Sequence, residues 1–215
     1  MTDHDERETE FPLEQVEDDD IDDFIEEEPE EEEPSDATFQ DGKGYVDSES
    51  ADRISQHGFY GNRLEDGRLE IEPVEVLHLL ERKRITLSTL SGEIIDSSFV
   101  VNEALKVDPD IWIRYLVFRD LRSRGYAVRQ GFGGGIGFRV YARGERPGAA
   151  AANQLIYVLK EGVPISLHDL DMVTETAASS RKTLLFALVD QNGEVNYYRV
   201  AQATLREVGG NTDNE

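Results

Sequence analysis

Four arginines, Arg114, Arg119, Arg122 and Arg124, crowd one short stretch of the sequence together with the acid Asp120. Guanidinium groups at this spacing could grip phosphate, or could form a solvated helix face on which acids and bases alternate. A second stretch holds Gly131, Gly133, Gly134, Gly135 and Gly137. It lacks the Lys-Ser/Thr ending of a phosphate-cradling loop and has strand-like runs on both sides, so it reads as a flexible turn. His57 and His78 read as surface or packing histidines. There is no cysteine, which excludes disulfides, thiolate nucleophiles and cysteine-based zinc sites.

The arginines fall on the clearest helix of the chain. Asp108 is the expected N-cap and Pro109 suits the first helical position. Ile111, Tyr115 and Phe118 share one face, the arginines lie on the exposed side, and Gly125 stands where a C-terminal stop belongs. Strand-like runs at 126–130 and 138–143 flank the glycines, and a further strand covers 155–159. Ser166 caps a helix over 167–180, and runs at 183–189 and 195–200 pair about the Asn192-Gly193 turn. Upstream, residues 42–98 hold short strand-like pieces broken at Gly58, Gly61-Asn62, Asp66-Gly67 and Ser91-Gly92. Between them Pro73 opens a helix with Val74, Leu77, His78 and Glu81 at helical spacing. The expected fold is α/β (α+β): a small N-terminal α/β domain over 42–98, then a mixed-sheet domain over 99–205.

Charge sets the remaining boundaries. The 215 residues carry 46 acids against 22 bases, a net charge of −24, but residues 1–40 alone hold 20 acids and one base, Arg7. With Pro12, Pro29 and Pro34 and few large apolar side chains, residues 1–41 read as a disordered acidic tail. That tail could be a solubilising device, an acidic mimic of nucleic acid, or a short docking motif built on Phe11, Leu13, Ile21, Phe24 and Ile25. The polar end from 206 to 215 reads as frayed. Seventeen arginines against five lysines in an acidic chain is the composition of proteins from salt-loving archaea. No run approaches a membrane span and no basic, apolar leader opens the sequence, so a cytoplasmic protein without membrane contact is expected.

One longer pattern sharpens this. The run Tyr115-Leu-Val-Phe-Arg-Asp-Leu-Arg-Ser-Arg-Gly-Tyr126 is followed by Gly131-Phe132, Phe138-Arg-Val-Tyr141, Arg181-Lys182, Asp190-Gln-Asn-Gly193 and Tyr197-Tyr198. Together they resemble the archaeal tRNA-splicing endonuclease (tRNA-intron lyase) family in order and spacing over nearly all of residues 100–203. Tyr60-Gly61-Asn62 with Pro73-Val-Glu-Val resembles that family's N-terminal domain. The resemblance implies an RNA lyase that needs no metal or cofactor. In it a tyrosine activates the ribose 2′-hydroxyl, a histidine protonates the leaving oxygen, and a lysine holds charge on the phosphorane, leaving 2′,3′-cyclic phosphate and 5′-hydroxyl ends.

By that resemblance the tyrosine is Tyr141 and the lysine is Lys182. The histidine position, three residues before Tyr157, is Gln154, which has no proton to give near neutral pH. Glu175 stands where the family commonly has a base-stacking arginine, and an acid there repels RNA. Ala178 replaces a usual histidine, and Gly133-Gly134 a usual basic and aromatic pair. The implied RNA contacts are Arg119, Arg122, Arg124 and Arg181. The family's units pair through their last strands and offer an acidic loop to a partner. Here the loop is residues 190–194 with Asp190 and Glu194, and Tyr197, Tyr198 and Val200 form the apolar side; a plain hairpin with core tyrosines would carry the same residues.

Three functions follow as expectations. The first is a structural or catalytically degenerate subunit in tRNA intron removal, working on precursor tRNA or other structured RNA as a homodimer or with an active paralogous subunit. The second is an active metal-independent lyase, and the third a non-enzymatic acidic interaction module. A metal-dependent nuclease is disfavoured, because no carboxylate pair with a lysine stands on adjacent strands.

Overall fold

The computed structural model describes residues 33–203, so the acidic segment up to residue 32 and the polar end from residue 204 lie outside the described residues. The first sheet contains β1 (Ser35–Gln40), β2 (Lys43–Val46), β3 (Asn62–Arg63), β4 (Leu69–Ile71) and β5 (Ile85–Thr89), in the order β3-β4-β2-β1-β5. β1 pairs parallel with β5 and antiparallel with β2. Strand β1 corrects the boundary expected at residue 41. Ser35, Ala37 and Phe39 alternate inward, with Asp36 and Gln40 exposed between them, and this period-two pattern outweighs the acidic composition upstream.

Two helices that composition concealed join this half. In α1 (Ser48–Gly58) only a thin apolar stripe, including Ala51 and Ile54, is buried. α2 (Pro73–Glu81) starts where expected, with Pro73 in the first turn and a capping box in which the Glu72 and Glu75 side chains satisfy each other's backbone N–H groups. α3 (Ser97–Leu105) begins at Asp96, whose carboxylate accepts from the Phe99 N–H at 3.0 Å.

The second half follows the expected order: α4 (Ile111–Ser123), β6 (Val128–Gly133), β7 (Ile136–Val140), β8 (Gln154–Lys160), α5 (Leu167–Ser179), β9 (Thr183–Val189) and β10 (Val195–Val200). The sheet order is β10-β9-β8-β7-β6, mixed because β8 and β9 run parallel across the α5 crossover. The N-cap of α4 is Asp110, not Asp108. Asp108 instead accepts from the Asp110 N–H at 3.0 Å and pairs with Arg114 at 3.1 Å, so Pro109 lies in the turn before the helix. Gly125, at φ +81°, closes α4, with its own N–H on the Arg122 carbonyl and the Tyr126 N–H on that of Leu121.

One buried apolar cluster runs through both halves. Val76 and Val100 meet Tyr115 and Phe118 of α4, and these continue into Phe138, Ile156 and Ala187 of the second sheet. α4 therefore serves both sheets at once. A smaller cluster of Leu155, Val173, Ala177, Leu184 and Phe186 fixes α5 to the other face of the second sheet.

Candidate functional site

Strand pairing brings three separated residues to one end of the second sheet. Val140, the last residue of β7, lies opposite Gln154, the first of β8, and Gln154 lies beside Thr183, the first of β9. With strands about 4.8 Å apart, these three form one row across the sheet. Tyr141 continues β7 by one residue and Lys182 precedes β9 by one, so the same register puts both level with Asn153, with Gln154 one residue further along β8. Backbone hydrogen bonds hold the row: Asn153 N–H to Val140 O at 3.0 Å, Thr183 N–H to Asn153 O at 3.0 Å, and Tyr141 N–H to Ala127 O at 3.1 Å.

Tyr141 is buried against Ala127 and Ala152, with Phe59 packed on the same group. Lys182 is half-buried, and its Nζ donates to the Ala152 carbonyl at 2.5 Å. Its position is set by the end of α5, where the Lys182 N–H reaches Ala177 O at 2.9 Å and Arg181 adopts a left-handed conformation at φ +55°. A residue with a Cβ in that conformation costs about 1 kcal/mol. Phe59 was not anticipated; it is the C-cap of α1 at φ +56° and carries the first half of the chain onto Tyr141.

No described histidine side chain reaches this row. His168 is exposed at the start of α5, whose opposite end carries Lys182. Eleven residues of helix, about 16 Å, separate His168 from Ser179. His78 is buried between the rings of Tyr60 and Phe118, as the packing reading expected. Burial, together with Arg122 and Arg82, lowers its pKa to about 4, so its 3.8 Å contact with Glu81 is not an ion pair at neutral pH. Glu175 and Ala178 both lie exposed, one turn apart, on α5. Among the described residues no group of three His, Asp or Glu is placed to hold a metal ion.

The arginine face of α4 needs correction. Arg114 and Arg122 are half-buried, and all four arginines are engaged within the protein. Arg114 lies over Phe138, Arg119 reaches Glu81 at 3.4 Å, and Arg122 stacks on Tyr60 and donates to Tyr126 O. Arg124 holds Asp120 through two hydrogen bonds, because acids on α4 itself and on α2 compete for these groups. Arg181 is exposed and precedes Lys182 in sequence. In the β9–β10 hairpin the Asp190 carboxylate accepts from the Asn192 and Glu194 N–H groups at 2.9 and 2.8 Å, so it shapes the turn, while Glu194 is exposed. Tyr197 donates to Asp120 at 2.8 Å, which with burial raises its pKa far above the ordinary range, whereas Tyr198 faces solvent.

Residues 35–100 match the family model described as tRNA intron endonuclease, N-terminal domain, and residues 111–197 match the one described as tRNA intron endonuclease, catalytic C-terminal domain. A tRNA-splicing endonuclease of Methanothermobacter thermautotrophicus is 34% identical over 150 residues, covering 70% of this chain and 86% of the relative. The chain belongs to the tRNA-splicing endonuclease family. A family member from Pyrococcus furiosus is 37% identical over 142 residues, 66% of this chain and 79% of the relative. One from Methanococcoides burtonii is 33% identical over 161 residues, 75% of this chain, but this chain covers 44% of that longer relative. The join between the two family segments falls between the middle of α3 and the start of α4, and Tyr141, Gln154 and Lys182 lie in the segment matched by the catalytic C-terminal domain model.

Proposed function

We propose that this family member is a structural or catalytically degenerate subunit in tRNA intron removal, acting in the cytoplasm on precursor tRNA or another structured RNA. The observation that carries this reading is Gln154. It stands one residue along β8 from the level of Tyr141 and Lys182, at the position that the family resemblance gives to the group protonating the leaving 5′-oxygen. A glutamine amide donates a hydrogen bond but keeps its proton. Tyr141 would still orient a 2′-hydroxyl, and Lys182 would still face a phosphorane once it exchanged the Ala152 carbonyl for a phosphate oxygen. Substrate would be positioned and charge partly stabilised, while leaving-group departure would go unassisted. Glu175 adds a negative charge on the α5 turn nearest the site. Arg119, Arg124 and Arg181 would contribute to RNA contact, and Glu194, Tyr197 and Tyr198 to a contact with an active paralogous subunit or a second copy.

Retention of both Tyr141 and Lys182 in a common row favours a second reading, in which the chain cuts RNA with a proton donor from a partner or from water. The two readings separate when the chain is mixed with an active endonuclease subunit from the same cell. A structural subunit co-elutes with it and changes its rate or substrate range, and Lys182→Ala leaves the mixture's rate unchanged. Loss of the mixture's activity with Lys182→Ala contradicts the structural reading.

A further inference from the structure

A small cavity of about 190 Å³ lies between α1, α2 and α4, lined by Arg53, Gly58, Tyr60, His78, Arg82, Arg84 and Arg122, with Ile54 and Leu79 behind them. In a chain of net charge −24, the lining among the described residues contains four arginines and no carboxylate, and of these arginines Arg84 is engaged elsewhere. Among the described residues, Arg53, Arg82 and Arg122 have no ion pair. Arg53 donates to the Ser35 hydroxyl at 2.5 Å, and Arg122 donates to a backbone carbonyl and lies 4.4 Å over the Tyr60 ring. Two buried polar atoms of the lining, His78 Nδ1 and Arg122 Nε, have no hydrogen-bond partner. His78 is 5% exposed. Converging cations and orphaned buried polar atoms are costly unless an anion completes them.

The cavity is also shaped. A Cβ at Gly58 would fall 2.1 Å from Tyr60 Cε2 and 2.9 Å from Arg122 Nη2, so glycine is what lets the ring and guanidinium approach there. A volume well below the roughly 300 Å³ of ordinary ligand pockets suits a phosphate group better than a base or nucleoside. Arginine forks match phosphate oxygens in pairs. Phe59, between the Gly58 and Tyr60 of this lining, packs against Tyr141. The cavity and the Tyr141 row are thus tied by a three-residue segment.

We infer that this arginine cavity is a phosphate-binding subsite, filled by a backbone phosphate of the RNA that the Tyr141 row receives. The assignment of RNA rests on the proposed function; the affinity for phosphate does not. Arg53→Ala/Arg82→Ala is the test variant because neither arginine carries an ion pair, and Arg68→Ala, an exposed arginine paired with Asp66 elsewhere, is the control. The full chain is titrated with inorganic phosphate and, separately, with a precursor tRNA over a range of salt, after equal melting temperatures are verified. The expected result is that the double variant loses phosphate binding, weakens RNA binding about tenfold or more at low salt, and lowers the slope of log affinity against log salt by about 1 to 2. Phosphate binding lost in the variant while RNA affinity and slope stay unchanged assigns the subsite to free phosphate and overturns the backbone assignment. If native chain binds phosphate through these arginines but binds no RNA, the subsite stands and the RNA reading of the chain fails. Equal binding of both probes by native chain and variant overturns the subsite, as does a variant whose sole change is oligomer size, which would place a partner's carboxylates in the cavity.

Discussion

On the proposed placement of the site, replacing Gln154 with histidine supplies the general acid it lacks. Position 154 is half-buried at the first residue of β8, and its neighbour Asn153 is hydrogen-bonded to the strands on both sides. The Cβ at position 154 lies one strand, about 4.8 Å, from both Val140 and Thr183, one residue along β8 from the level of Tyr141 and Lys182, so the substitution tests the placement that the family resemblance implies. A positioned general acid contributes about 100- to 10,000-fold, or about 3 to 5 kcal/mol of barrier. Gln154→His is therefore expected to raise single-turnover cleavage of an intron-containing precursor tRNA, in EDTA, by at least about 100-fold over the native chain. The gain carries a signature: a rate that falls above about pH 6.5, as the imidazole loses its proton, and that disappears in Gln154→His/Lys182→Ala. Adding Glu175→Arg to this variant is expected to lower KM by removing an acid near the RNA, without supplying a proton. Unchanged cleavage by Gln154→His, with RNA affinity and fold intact, refutes the placement of the general acid at 154.

Other consequences concern the frame. Glu75 is buried and accepts from the Gly61 N–H at 3.0 Å and the Glu72 N–H at 2.9 Å, with Arg129 at 3.9 Å; Glu75→Ala orphans both N–H groups and takes the carboxylate from beside Arg129, which still donates to the Gly61 carbonyl, and is expected to cost about 3 kcal/mol, read as a lower urea midpoint. His78 has its pKa lowered to about 4 against an ordinary 6.5, so the folded state binds fewer protons than the unfolded one between those values. Stability from this group is complete above pH 6.5 and is lost as pH falls towards 4, by about 3 kcal/mol; urea unfolding of His78→Phe should lack that component of the acid loss. A Cβ at Gly131 would lie 1.8 Å from the Ile136 carbonyl oxygen, so Gly131→Ala is expected to cost about 2 kcal/mol or more and to shift the β6–β7 hairpin, visible as lost melting temperature and changed amide shifts at 131–137.

What the sequence disclosed and what it concealed follow from the range of the signals. The bounds of β9 and β10 coincide with the runs read from apolar spacing, because Thr183–Val189 is buried on both faces and Asn192-Gly193 marks the turn. α2 was legible through Pro73 and its helical spacing. α1 was not, since Asp52, Arg53 and Gln56 dilute a face that buries little more than Ala51 and Ile54. β1 was lost in the shadow of the acidic run before it, although Ser35, Ala37 and Phe39 already alternate. Tyr141 and Lys182 were placed by motif resemblance, and strand pairing then put them in one row. Phe59, and the convergence of Arg53, Arg82, Arg84 and Arg122, depend on how α1, α2 and α4 pack, which no local pattern records.

The central claim is that the site proposed around Tyr141, Gln154 and Lys182 receives RNA but does not cut it unaided. The direct test is incubation of the purified chain alone with an intron-containing precursor tRNA, in EDTA and high salt, with analysis of the ends formed. The account predicts RNA binding with no 2′,3′-cyclic phosphate above the uncatalysed background. Cleavage by the chain alone, abolished by Tyr141→Phe, would contradict it.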